Sequence, residues 1–150
     1  MVSVCFLFSL SHPAAMPVCA PHFLLRTECR SKDHAGKWHF VLQTPDGRKQ
    51  ADVEDAEPTL PGERLELLAV VRGLEAIDSP AKVTLQTSSN YVRRGIDYGL
   101  DDWRENNWQW EWHGQMVPVK NYDLWRRLDR ALQVHEVDCQ FGHKNRTRGR

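Results

Sequence analysis

The stretch Val83 to Gly95, VTLQTSSNYVRRG, ends an apolar run in small polar residues and passes straight into a basic segment. In an α/β sheet such a junction lies at the carboxyl end of a strand, where active sites gather. Ser88, Ser89 and Asn90 place two hydroxyls and a carboxamide there, and no charge. On these residues alone three readings stay open: an active site, the remains of one, or an ordinary turn. The other chemistry-bearing side chains are less pointed. Cys5, Cys19, Cys29 and Cys139 form no CxxC pair and show no zinc-ligand spacing, so reduced thiols are expected. Trp103, Trp108, Trp110 and Trp112 can stack on sugars or bases, or Trp103 and Trp108 can simply pack a helix–loop unit. Arg93 and Arg94 can reach phosphate or solvate a helix face, and Lys144, Arg146, Arg148 and Arg150 form a basic tail suited to a polyanion.

The elements that must position these residues follow from periodicity. PHFLLRTEC reads as a strand, RSKDHAG as a polar turn, and KWHFVLQT as a second strand with Trp38, Phe40 and Leu42 on one face. Asp46-Gly47 closes a hairpin, and RKQADVEDA is a charged third strand, suited to an edge. After Pro58 and Pro61-Gly62 the period turns helical. In ERLELLAVVRGLEAI, Leu67, Val71 and Leu74 fall at i, i+4 and i+7, with Arg64, Arg72 and Glu75 elsewhere. A strand over Lys82 to Thr87 follows, then the basic helix and a short helix in GLDDWRENNW. NYDLWRRLDRALQVH makes a clear amphipathic helix with Asn121 as its cap, and EVDCQF alternates as a last strand. Cys29 and Cys139 then pack within strands as small apolar groups. The order β-β-β-α-β-α-α-α-β implies an α/β fold, a mixed sheet with helices on its faces.

A chain of 150 residues suits one domain and can bury a core without metal or disulfide staples. Lys and Arg total 20 and Asp and Glu total 20, so no global basic field draws the chain onto nucleic acid. The first twenty residues carry a short apolar run without a positive n-region, too short to span a bilayer. Residues 1–21 are therefore expected to be a disordered or misassigned extension, with Met1 or Met16 as the start and export as the minority reading. No membrane partner, a cytoplasmic location and a monomer are expected.

GERLELLAVVRGLEAI, TSSNYVRRGI, PVKNYDLWRRLDRAL and finally FGH stand in the order and spacing of a type 1 ribonuclease H. The chain resembles that family over residues 22–143. The resemblance implies a ribonuclease H-like five-stranded mixed sheet, its first three strands antiparallel, flanked by helices. It also implies hydrolysis of the RNA strand of RNA–DNA hybrids by two divalent metals held on four carboxylates. Such metals lower the pKa of the attacking water and stabilise the leaving oxygen, and hard Mg²⁺ requires oxygen ligands.

Carried over residue by residue, the family's first-strand Thr-Asp-Gly-Ser reads Thr27-Glu28-Cys29-Arg30 here. Glu28 keeps a carboxylate but adds a methylene, and a misplacement on the order of an ångström can cost ~100-fold in rate. Glu66 in Arg64-Leu65-Glu66-Leu67 matches the helix acid directly. Ser88 in Thr87-Ser88-Ser89-Asn90-Tyr91-Val92 stands where the third acid should be, and a neutral hydroxyl is a poor replacement for an anionic ligand. The family's catalytic His matches Gly142-His143, and the chain then ends in KNRTRGR without the fourth acid. The catalytic positions are thus Glu28, Glu66, Ser88 and His143. Glu28 and Glu66 are the metal ligands if Mg²⁺ or Mn²⁺ is held at all.

For nucleic acid, the resemblance implies Asn90, Arg93, Trp103, Trp108 and Lys120 as contacts. Against strong binding, Gly62-Glu63 replaces the polar pair before the helical Arg. Asp101, Asp102, Glu105 and Glu111 make the family's basic protrusion acidic, and phosphate contacts supply most non-specific affinity. The expectation is a ribonuclease H-like protein that binds hybrids weakly and cleaves them little or not at all. Its alternatives are a weak one-metal endoribonuclease using Glu28 and Glu66, and a protein-interaction module docking through the Trp-rich segment 100–112.

Overall fold

The computed structural model describes residues 20–32 and 35–141. The expected N-terminal extension up to residue 19, His143 and the basic tail lie outside them. Seven strands and four α-helices follow in order: β1 (His22–Lys32), β2 (Ala35–Gln43), β3 (Lys49–Ala56), α1 (Gly62–Glu75), β4 (Lys82–Thr87), α2 (Asn90–Arg94), α3 (Leu100–Glu105), β5 (Gln109–Trp112), β6 (Gln115–Pro118), α4 (Tyr122–Val134) and β7 (Glu136–Phe141). A π-helical turn, Gly95–Gly99, joins α2 to α3, so residues 90–105 form one helical run.

The main sheet has the order β3-β2-β1-β4-β7. β1, β2 and β3 are antiparallel neighbours, whereas β4 lies parallel to β1 and β7 parallel to β4. The fold is the α/β ribonuclease H-like arrangement: a five-stranded mixed sheet with its first three strands antiparallel and helices alongside. Side-chain alternation divides the sheet into two faces. Leu25, Trp38, Phe40, Leu42, Val83 and Leu85 are buried, and α1 packs over β1 and β2 with Leu65, Val70 and Leu74 in the same core. The opposite face carries Arg26, Glu28, Arg30, Lys37 and His39, polar side chains that keep water contact. This clean division is what a sheet solvated on one side requires.

Close approaches fix the helices. A methyl group on Gly73 would lie 2.5 Å from Leu25 Cδ1, so α1 rests directly on the sheet only because that residue has no side chain. A methyl on Gly95 would lie 2.0 Å from Trp125 Cη2, where the helical run 90–105 crosses α4. Trp125, fully buried, meets Tyr91 and Trp103 with ring centroids 5.4 and 5.1 Å away.

The structure departs from the expected elements at three places. β1 continues through Arg30 to Lys32, because Arg30 pairs with Lys37 and the antiparallel ladder outlasts the apolar residues. The short helix ends at Glu105, not Trp108, because Asn107 and Trp108 turn left-handed (φ 56° and 63°). Residues 109–118 form a separate hairpin, β5–β6, across His113 and Gly114. Both turn residues have positive φ, as a two-residue hairpin demands.

Candidate active site

The corner singled out by its uncharged residues is a real junction. β4 ends at Thr87, Ser88 and Ser89 bridge, and α2 begins at Asn90. Glu28, Glu66 and Ser88 line one small cavity of about 120 Å³, together with Thr27, Cys29, Thr87 and Ser89. Three elements converge there: β1 brings Glu28, α1 brings Glu66, and the end of β4 brings the serines. Parallel pairing of β1 with β4, in register from His22↔Lys82 to Arg26↔Gln86, sets the middle of β1 beside the end of β4.

Ser89 organises the corner. It is 3% exposed, its hydroxyl donates to Glu66 Oε2, and the same oxygen accepts from the Val92 backbone N–H at 3.2 Å. Its own N–H donates to Thr87 Oγ1 at 3.2 Å. One residue thus caps α2 and holds one carboxylate oxygen of Glu66. Sequence reasoning passed over this role and attended to the neighbouring Ser88, which is exposed. The signal was present, since a serine three residues before Val92 is a standard N-cap position.

Cys29 is held in its thiol form, which is a poor nucleophile. Burial, and next the Glu66 carboxylate, push its thiol up to about 12. Cys139 is likewise pushed up to about 11, chiefly by burial. Both pack against the core within strands, as expected from the sequence.

A two-metal centre needs several anionic oxygens at one point. Around this cavity the donors are two carboxylates and neutral hydroxyls, and no group of three or more His, Cys, Asp and Glu is placed to hold a metal among the described residues. The residues described do not fit the two-metal set. His143 lies outside them.

Of the residues expected to meet nucleic acid, Asn90 and Arg93 stand exposed on α2, directly after the cavity. Arg93 lies 3.6 Å from Asp97. Trp103 and Trp108 are half-buried and pack against the core. Lys120 is engaged internally: Glu63 takes its ammonium at 2.9 Å, and that bond, then the same charge, raises its pKa. Next to it, Arg64 holds Asp123 through two bonds of 2.9 and 2.6 Å. Tyr91 is structural, its hydroxyl accepting from Asn121 Nδ2 and Trp125 Nε1, each at 3.0 Å. Trp110 and Trp112, by contrast, are 42% and 53% exposed on the hairpin.

Comparison with known proteins gives consistent matches. The family described as RNase H matches residues 27–149. A Ribonuclease H of Hydrogenovibrio crunogenus is 40% identical over 109 residues, covering 73% of this chain and 72% of that protein. A Ribonuclease H of Rhodopirellula baltica is 35% identical over 121 residues, covering 79% and 77%. Among solved structures, LC9-RNase H1, described as a type 1 RNase H with the type 2 active-site motif, superposes with a TM-score of 0.69 at 20% identity, over 87% of this chain and 66% of that one.

Proposed function

Because the chain belongs to the RNase H family, we propose that it binds RNA–DNA hybrids and that its own cleavage of the RNA strand is weak or absent. The observation that carries this reading is the corner itself. The family's position for a metal-binding acid is Ser88, at the rim of the cavity that Glu28 and Glu66 share. A serine hydroxyl adds no negative charge, so a divalent ion there would gain two carboxylates where the family supplies more. What the chain's own residues do is hold and orient. Ser89 fixes Glu66, and Asn90 and Arg93 present a carboxamide and a guanidinium just beyond it.

The test uses a labelled RNA–DNA hybrid with Mg²⁺ or Mn²⁺ and three proteins: the unaltered chain, Ser88→Asp and Glu66→Gln. The expected result is hybrid binding with little cleavage by the unaltered chain. Ser88→Asp should raise cleavage by at least ~10-fold, since a single preorganised electrostatic group at a reacting centre is commonly worth about 10²–10³ in rate. Brisk cleavage by the unaltered chain, abolished by Glu66→Gln, would sink the inactive reading.

Two observations favour further readings. Glu28 and Glu66 line the same cavity, which supports weak endonucleolytic cleavage on a single metal; cleavage better in Mn²⁺ than in Mg²⁺ would select it. The exposed Trp110, Trp112 and Met116 support a protein partner on segment 100–112 and its hairpin, because exposed aromatic residues are enriched at interfaces. A Trp112-dependent complex insensitive to salt, without affinity for hybrid, would select that one.

A further inference from the structure

A second cavity, about 240 Å³, opens on the solvated face of the sheet and is lined by Glu28, Arg30, Lys37, His39 and Glu54. Glu28 borders both this cavity and the one at the candidate active site. Arg30 and Lys37 are direct partners across the antiparallel β1–β2 ladder. Like charges placed opposite each other in a sheet are destabilising, so this pair works against the fold unless something negative lies between them.

Of the acids that also line the cavity, Glu54 offsets Lys37 alone. Glu54 draws Lys37 at 3.4 Å from the far strand, and Asp52 is shared by His39 at 2.6 Å and Lys49 at 2.7 Å. Arg30 is left with no hydrogen bond or ion pair among the described residues. Glu28, two residues before it on the same face, makes none with it. A planar guanidinium beside an ammonium, one fork and one point charge, is the pairing that suits a phosphate.

We propose that Arg30 and Lys37 hold a phosphate group in this cavity, one step along β1 from Glu28. The phosphate is that of a nucleic-acid strand running past the candidate active site or a free phosphate; the first source rests on the hybrid-binding reading, the second does not. The site would grip a strand without contributing to its hydrolysis.

The experiment compares the full chain with Arg30→Gln/Lys37→Gln, and with Arg48→Gln at the β2–β3 turn as control. Each is titrated with an RNA–DNA hybrid over a range of salt, and the unaltered chain and the control are titrated separately with inorganic phosphate while the Arg30 Nε–H resonance is followed. For the hybrid, the double variant should bind several-fold more weakly at low salt. Its slope of log affinity against log salt should be shallower by about 0.9, because one phosphate fewer is neutralised. The control should match the unaltered chain. Inorganic phosphate should shift the Arg30 resonance in the unaltered chain.

A phosphate shift with unchanged hybrid affinity and slope would assign the site to free phosphate. No shift and no change in hybrid binding would overturn the proposal. Absence of hybrid binding by the unaltered chain would defeat the hybrid-binding reading, and the phosphate titration alone then decides the fate of this site. A thermal midpoint close to that of the unaltered chain is expected for the double variant, since relief of the opposed charges offsets loss of the exposed Lys37–Glu54 pair, and it verifies that the variant folds.

Discussion

At the scale of single residues, the corner after β4 separates two serines by burial and by task. Ser88 is exposed and makes no hydrogen bond among the described residues, whereas the Ser89 hydroxyl both accepts, from Val92 N–H, and donates, to Glu66. Only Ser88 is therefore free to be changed to an acid without disturbing the α2 cap, which is why Ser88→Asp is the informative substitution. His135 gives the other residue-level consequence. It is buried, and its Nδ1 accepts from the Ala81 N–H at 3.2 Å, tying the end of α4 to the start of β4. Burial lowers its pKa, opposed by a hydrogen bond at the Leu74 backbone. The folded value thus lies below the ordinary value of 6.5, and the unfolded chain binds the proton more readily. Stability from this group is complete above pH 6.5 and is lost as pH falls through the folded pKa. Denaturant midpoints should accordingly decline below that pH, and His135→Gln should flatten the decline. An unchanged pH profile in the variant would refute the assignment.

At the scale of elements, the packing of the helical run 90–105 on α4 depends on the missing side chain at Gly95. Tyr91, Trp103 and Trp125 pack around it, and Tyr91 joins α2 to α4 through Asn121 and Trp125. Asp129 on α4 is buried and is held by Arg104 of α3 at 2.7 Å, a second tie between the same elements. Gly95→Ala would force the Trp125 ring away, at a cost of about 1–3 kcal/mol by overpacking. Gly62→Ala, at the first residue of α1 with open space around it, should be neutral or stabilise by about 0.4–1 kcal/mol through the unfolded chain. Equal urea midpoints for the two variants would show that the close approach at Gly95 carries no weight.

At the scale of the whole molecule, equal numbers of acids and bases leave the proposed hybrid affinity to a few local cations. Several of those are already paired within the fold, Lys120 with Glu63 and Arg64 with Asp123. Glu63→Gln would release Lys120 from its acid. Hybrid affinity should then rise several-fold at low salt and the salt slope should steepen by about 0.9. A slope identical to that of the unaltered chain would place Lys120 away from the strand. No described helix is long and apolar enough to cross a membrane. The acidic residues Asp101, Asp102 and Glu105 stand exposed beside the hairpin, which keeps that end of the molecule unfavourable for phosphate.

The sequence by itself determined the order of the main strands and helices, the core-facing sets and the family, because apolar period and long motifs such as PVKNYDLWRRLDRAL are local properties of the chain. It also singled out Glu28, Glu66 and Ser88, which the folded chain brings to one cavity. It did not determine what those residues touch. The bond from Ser89 to Glu66 joins positions 23 residues apart, and the one from Lys120 to Glu63 joins positions 57 apart. The opposed charges of Arg30 and Lys37 exist only once β1 is extended past its apolar residues and paired in register with β2. Such contacts depend on register and helix packing, which no local pattern encodes. The corner after β4 was legible as an uncharged junction between a strand and a helix; that Ser89 there grips Glu66 of α1 was decided by tertiary structure alone.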